Sequence, residues 1–307
     1  MPEPIAFSNG QLLPASQLAI SVFDTGFVQG VTVAEQLRTF GGRLFRLEQH
    51  LERLRRSLDI IDVDPGLTTA ELAGIAEHVA RHNHALLAAG DDLGLSVFVT
   101  PGPYAGFAPA EAGSRPTVCL HTFAIAFHTF AEKFARGQSL VVTDVAQVPN
   151  TCWPPELKCR SRMHYFLADR AARRIDPEAR ALMLDAAGFV TEASTANVVV
   201  YYRDQGLVSP PREKILPGIS VAVMANLSQK LGVPFSYRDL TVADIDRADE
   251  VFLTSTSPCV LPVTRLNGQP IGTGQPGELF GRLLTAWSEL VGVDIAAQAR
   301  RFAVRAG

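Results

Sequence analysis

The sequence predicts a two-domain protein of mixed α/β class, and three observations carry that expectation. The length of 307 residues suffices for two ordinary domains with sizeable cores. The first half orders its patterned segments as strand, strand, helix, helix, strand, strand, which makes a small α+β unit. The second half interleaves short strands with helices, the pattern of a larger α/β unit. The expected division is 1–130 and 131–307, with His128 to Gly137 as the linker.

Element by element, Ile5 to Val22 is a run of short apolar pieces broken by Asn9-Gly10 and Pro14, a hairpin signal. Phe23 to Phe40 reads as a glycine-punctuated loop feeding a strand, and Gly41-Gly42 turns the chain back into Arg43-Leu44-Phe45. Leucines 47, 51, 54 and 58 recur at helical spacing on one face. Thr68 to Ala89 reads as a second amphipathic helix with Thr68 or Thr69 as N-cap. Leu93 to Thr100 and Thr117 to Phe127 are expected strands, joined by a loop from Pro101 to Pro116 rich in Pro, Gly and Ala.

Beyond the linker, Ser139 to Val145 is an expected strand. Arg162 to Arg174 is a helix with Met163, Phe166, Leu167 and Ala171 on one side. A hairpin turns around Ala186-Ala187-Gly188. Leu216-Pro217-Gly218-Ile219-Ser220 opens a helix that Gly232 closes. Glu250 to Leu253 is a strand, Asn267-Gly268 a hairpin turn, and Pro276 to Leu290 a last long helix.

The formal charge of −3 gives no cause to expect a nucleic acid partner. Cys119, Cys152, Cys159 and Cys259 lack the spacing of a zinc site, so no metal is expected. Met1-Pro2-Glu3-Pro4 carries no secretory pattern, and no apolar run reaches membrane-spanning length. A cytoplasmic protein with reduced thiols is the default.

The chain has four lysines, Lys133, Lys158, Lys214 and Lys230. Lys158 stands apart, in Glu156-Leu157-Lys158-Cys159-Arg160, while the other three read as solvated. An amine near other cations, here Arg160 and Arg162, loses its proton more readily and becomes a nucleophile. Glu192 interrupts an alternating strand after Val190-Thr191, and Asn197 follows it. A lysine able to form an imine and a carboxylate able to pair with a pyridinium nitrogen are what pyridoxal phosphate (PLP) asks of a protein. An anion cup can be assembled from the helix start at Gly218-Ile219-Ser220, the hydroxyls of Thr254-Ser255-Thr256-Ser257, and the fork of Arg53.

The order of these pieces resembles the class IV aminotransferases, the fold-type IV PLP enzymes. That family carries a His-x-x-Arg-Leu helix, a lysine, an Asp-x-x-Gly-x-x-x-Glu hairpin ending in Asn, a Leu-Pro-Gly-Ile helix start, and a threonine before a Pro-Val strand. Here they stand at His50 to Leu54, Lys158, Asp185 to Asn197, Leu216 to Ser220, and Thr256 to Pro262-Val263. The resemblance spans about residues 20–290. It implies PLP bound through Lys158, with Arg53, Glu192, Asn197, Ile219, Ser220, Ser255 and Thr256 as cofactor contacts. It further implies a site at the domain interface of a homodimer, and transfer of an amino group between an amino acid or amine and a 2-oxo acid. An aminodeoxychorismate-lyase-type lyase and a non-catalytic PLP-binding protein are the alternatives.

The departures concern substrate. Some relatives place a tyrosine shortly after the lysine, where this chain reads Cys159-Arg160-Ser161-Arg162-Met163-His164-Tyr165. D-amino-acid aminotransferases grip the substrate carboxylate with an arginine and a histidine where this chain has Pro103 to Ala108. Ala34 replaces a larger aromatic. Ala34, Arg38, Arg160, Arg162 and Ser257 are therefore the substrate candidates.

Overall fold

The first turn of the chain shows how closely local chemistry dictates its backbone. Asn9 and Gly10 adopt φ of 47° and 90°, as a two-residue hairpin turn of matching twist demands, and join β1 (Ile5–Ser8) to β2 (Gln11–Pro14). This computed structural model describes residues 3–109 and 113–304. Met1-Pro2 and residues 110–112 of the Pro101–Pro116 loop lie outside them.

Contacts divide the chain into two units after Ile125, and the first unit also takes in Leu157–Ser161. The first unit is a six-stranded sheet with β3 (Val33–Phe40), β4 (Arg43–Leu44), β5 (Leu93–Thr100) and β6 (Thr117–Ala124). Its order is β2-β1-β6-β5-β3-β4, antiparallel throughout. The glycine-punctuated loop contains a short helix, α1 (Thr25–Val28), that sequence reading does not show. Asp24 explains it: its carboxylate accepts from the Gly26 amide and from the hydroxyls of Thr100 and Thr117. Helix α2 (Leu47–Ile60) buries the expected leucines against Leu37, Leu95 and Val97. Helix α3 (Thr69–His84) starts in a capping box between Thr68 and Glu71 and ends before the expected Ala89.

The second unit holds the strands β7 (Gln138–Val142), β8 (Arg180–Leu184), β9 (Val190–Ala193), β10 (Ala196–Tyr202), β11 (Gly206–Ser209), β12 (Phe235–Tyr237), β13 (Glu250–Ser255), β14 (Cys259–Leu266) and β15 (Gln269–Pro270). Pairing runs β10-β13-β14-β7-β8-β9 and returns to β10, so six strands form a closed ring. Closure leaves no unpaired edge along that path. The β14–β7 and β7–β8 pairs are parallel, and most others are antiparallel. The helices are α4 (Lys133–Arg136), within the expected linker, α5 (Met163–Ile175), α6 (Ile219–Lys230), α7 (Val242–Asp246), α8 (Glu278–Val291) and α9 (Ile295–Phe302). The expected last helix ends at α8: Gly292 takes a left-handed φ of 68°, and Asp294 caps a new helix that sequence reading does not show.

Three expectations need correction. The apolar stripe of α5 is not its buried side: Met163 and Phe166 are 69% and 63% exposed, while Ala168 and Ala172 pack against Ala179, Ala181 and Met183. Helix α5 turns these two alanines, not its larger apolar residues, toward Val141 of β7 and Ala181 and Met183 of β8. Lys133 and Lys214 are not solvated. Lys133 donates to Gln138, and burial pushes its pKa down. Lys214 pairs with Asp185 and Asp239.

The start of α8 rests on a close approach. Glu250 accepts from the amides of Leu279 and Phe280 at 2.8 and 2.9 Å. A Cβ on Gly277 would collide with the Glu250 carboxyl group. Gly277→Ala is therefore expected to destabilise the fold by about 1–3 kcal/mol, the cost of overpacking. A urea midpoint unchanged from wild type would show that the helix start can shift freely.

Candidate cofactor and substrate site

In the first unit, His50, Arg53 and Ser57 follow one another at three- and four-residue spacing along α2 and so share a side of it. His50 and Arg53 meet Glu35, a carboxylate with no solvent exposure in the middle of β3. Arg53 donates from Nε and Nη2 to the two Glu35 oxygens at 2.7 and 2.8 Å. His50 Nδ1 lies 2.7 Å from the second oxygen. Burial alone would raise the Glu35 pKa. The charge and hydrogen bonds of Arg53, and then those of His50, outweigh it and bring the pKa down to about 2. Burial pushes the His50 pKa down, against the pull of Glu35, so the ring is neutral and donates its Nδ1 proton.

Lys158 reaches the same region through its backbone. Its amide donates to Ser57 Oγ at 3.1 Å, and its carbonyl accepts from the Ala34 amide at 2.9 Å. Arg160 donates its amide to the Thr32 carbonyl at 2.7 Å, and Cys159 lies opposite Val33. The segment is thus a short added strand on the part of β3 that β4 leaves uncovered. Leu157, just before it, packs on the first unit's core. The Lys158 charge contributes to lowering the His50 pKa, which puts the lysine within electrostatic reach of that cluster.

The substrate candidates of this unit differ in what they touch. Ala34 is buried opposite Phe98. Arg38 is buried too, with Nε donating to the Thr39 carbonyl and its guanidinium 4.0 Å from the Phe40 ring centre, so it braces its own strand. Arg160 is exposed, and its Nη2 donates to Ser96 Oγ at 2.7 Å. Register places Gln36, Ser96 and His121 in one row across β3, β5 and β6. Burial, helped by the Arg160 charge, holds His121 below its ordinary pKa.

In the second unit, Glu192, Asn197 and Thr254 occupy one row across β9, β10 and β13. Glu192 Oε1 accepts from Asn197 Nδ2 at 2.8 Å and from the Leu216 amide at 2.7 Å. Its Oε2 accepts from the Tyr165 hydroxyl at 2.9 Å. Burial and the Glu192 charge both raise the Tyr165 pKa, so the phenol stays a donor. Asn197 also donates to the Leu216 carbonyl, which ties Glu192 to the loop leading into α6. A Cβ on Gly218 would collide with Asn197 Oδ1, so only glycine fits there. Helix α6 then begins at Ile219 and Ser220 with no side-chain cap. Strand β13 ends at Ser255, and the half-buried Thr256 and Ser257 follow in its turn. Arg162 is the N-cap residue of α5.

These residues suit PLP. Uncapped amides at a helix start and the Thr254 hydroxyl, buried with no partner among the described residues, are donors suited to a phosphate. Glu192 is a carboxylate fixed by three donors, and Lys158 is an amine on a pinned backbone. Sequence reading did not single out Glu35, Ser57, Ser96 or the Leu216 amide, and it met His50 only as the first residue of the His-x-x-Arg-Leu motif. Of the first four, only Glu35 left a signal: a charge on the face of β3 that otherwise carries Val33 and Leu37.

The Glu35 pairing has a pH signature. A carboxyl whose pKa falls from 4.5 to about 2 on folding stabilises fully above pH 4.5 and loses that stabilisation as pH falls toward 2. Glu35→Gln leaves Arg53 buried without its counter-charge and should cost about 3–5 kcal/mol at pH 7. The deficit relative to wild type should shrink between pH 4.5 and 2, as urea unfolding at stepped pH would record. Parallel stability curves for the two proteins over that range would refute it.

Comparison with known proteins places these clusters in context. Residues 32–266 match the family model described as amino-transferase class IV. A D-alanine aminotransferase of Bacillus licheniformis is 31% identical over 91% of this chain and 94% of its own. One from Staphylococcus haemolyticus is 26% identical over 93% and 97%. Among solved structures, a branched-chain amino acid aminotransferase from T.th. with pyridoxamine 5′-phosphate shares the fold at a TM-score of 0.84, with 24% identity, over 94% of this chain and 95% of that one. The branched-chain amino acid aminotransferase from Escherichia coli does so at 0.81, with 22% identity, over 94% of each chain. The chain belongs to the class IV aminotransferases and is a PLP-dependent transaminase of fold type IV.

Proposed function

We propose that this transaminase holds PLP through Lys158 and moves an amino group between an amino acid or amine and a 2-oxo acid. The observation that carries the assignment is Glu192, a buried carboxylate held by Tyr165, Asn197 and the Leu216 amide beside an uncapped helix start. When bound, PLP supplies an electron sink for the bonds at the substrate Cα. Glu192 keeps a proton on the pyridine nitrogen, and its three donors prevent it from turning away. Arg53, the amides of Ile219 and Ser220, and the hydroxyls of Ser220, Ser255 and Thr256 bind the phosphate. Once the substrate amine takes its place on the cofactor, the freed Lys158 amine would accept the Cα proton. Relatives named as aminotransferases and the joint presence of Lys158 and Glu192 favour this reading over a lyase or a non-catalytic protein.

For the substrate carboxylate we favour Arg160, because Arg38 is engaged with its own strand and Ser96 supports the Arg160 guanidinium. Arg162 and Ser257 are further candidates, and Ala34 leaves room for a bulky group. Gly106-Phe107-Ala108 argues against D-alanine as the best donor, although several relatives are named for it. Exposed Phe27, Phe107 and Phe166 suit a second copy of the chain, supporting a homodimer. Four free thiols suit the cytoplasm. Among the described residues no helix is long and apolar enough to cross a membrane.

Borohydride reduction of the yellow holoprotein, followed by peptide mapping, should place the pyridoxyl group on Lys158. A label on Lys133, Lys214 or Lys230 would remove the assignment. Arg160→Gln should lower kcat/KM for amino acids by about 10–100-fold, the worth of one or two charge-assisted hydrogen bonds, and spare amines that lack a carboxylate. Equal losses for both donor classes would exclude Arg160 as the clamp.

A further inference from the structure

We infer that Glu35 is a positioning residue for the cofactor phosphate: its carboxylate, steadied by His50, sets the direction of the Arg53 guanidinium without itself touching PLP. The inference rests on the reading of Arg53 as a phosphate ligand. Arginine is a long side chain with large rotamer entropy, and a loose one loses much of its worth when it grips an anion. Here the freedom is already removed. Two parallel bonds from Nε and Nη2 to one carboxylate fix both the plane and the direction of the guanidinium. Because the group is planar and rigid, fixing that edge also aims the remaining N–H groups.

The carboxylate is held in turn. Glu35 lies on β3, paired with Val97 on β5, and has no exposure. His50, one helical turn before Arg53, donates to the Oε2 that Arg53 Nη2 also uses. The ring is neutral, so it steadies Glu35 without adding a second cation beside Arg53. A strand, a helix and two side chains, Glu35 and His50, thus converge on the orientation of one fork.

Glu35 also acts by charge, and that effect runs the other way. A negative group near a phosphate repels it, so Glu35→Gln mixes lost aim with relieved repulsion. Glu35→Asp separates them. It keeps the charge, but one methylene less cannot reach both Arg53 nitrogens and His50 from the same strand position.

The test is the ratio of PLP affinity to pyridoxal affinity, measured by absorbance titration of the cofactor-stripped protein. Pyridoxal lacks the phosphate, so general damage to the site weakens both ligands alike. Glu35→Asp should lower the ratio about tenfold, the worth of one lost charge-assisted bond. A ratio within twofold of wild type would overturn the inference. His50 supplies a second line that leaves Glu35 and Arg53 intact. His50→Ala should lower the ratio about threefold, and His50→Asn, whose Nδ2 takes the place of the ring Nδ1, should restore it. An unchanged ratio in His50→Ala would count against the inference even if Glu35→Asp did not fold. Arg53→Met in the same assay separates the two levels. A fall there with no effect of Glu35→Asp or His50→Ala leaves Arg53 as the phosphate ligand and removes only the role of Glu35. No fall there removes the reading of Arg53 itself.

Discussion

A carboxylate taken out of water must find its donors inside the protein, and that constraint organises both units. Glu35 is answered by a guanidinium and an imidazole, and Glu192 by a phenol, an amide side chain and a backbone amide. The same rule operates away from the site. Asp92 is buried at the β3–β4 turn, where it accepts from the Thr39 hydroxyl and the amides of Gly41 and Gly42. Asp24 ties α1 to β5 and β6, and Glu250 starts α8. Each acid holds together elements distant in the chain, and removing one would strand several donors at once.

Glu35 and Glu192 solve the problem differently. Glu35 is matched by a full opposite charge, so its local environment is close to neutral. Glu192 accepts from three neutral donors, a phenol, an amide side chain and a backbone amide. Neutral donors hold a carboxylate in place without cancelling its charge, which the proposed pairing with a pyridinium would require.

Much of this was legible in the sequence where the physics is local. The leucines of α2, the Asn9-Gly10 turn and the Thr68 cap depend on neighbours within a few residues. Lys158 and Glu192 were singled out through the order of their motifs. The closed ring of six strands was not, because parallel pairing of β14 with β7 and of β7 with β8 joins segments with no local signal between them. The buried side of α5 was misread because its larger apolar residues follow helical spacing, while the side that packs on the sheet carries Ala168 and Ala172. Glu35 stands out in its strand, yet nothing in the chain says which cation meets it. Arg53 was expected as a phosphate ligand, and its bond to Glu35 appears only when α2 folds back over β3.

The row at Glu192 has a mechanical consequence as well as an electrostatic one. Its Oε1 is bound to the Leu216 amide, Asn197 grips the Leu216 carbonyl, and Asn197 Oδ1 fills the space a side chain at Gly218 would need. Glu192 and the start of α6 are therefore held together as one unit. A helix that slid along its axis would drag Leu216 and break two bonds to the row, so the amides at Ile219 and Ser220 keep a fixed distance from Glu192. If Glu192 meets the ring nitrogen and the start of α6 the phosphate, as proposed, that fixed distance would select the cofactor by length. The glycine at 218 permits this closeness, because a side chain there would collide with Asn197 Oδ1.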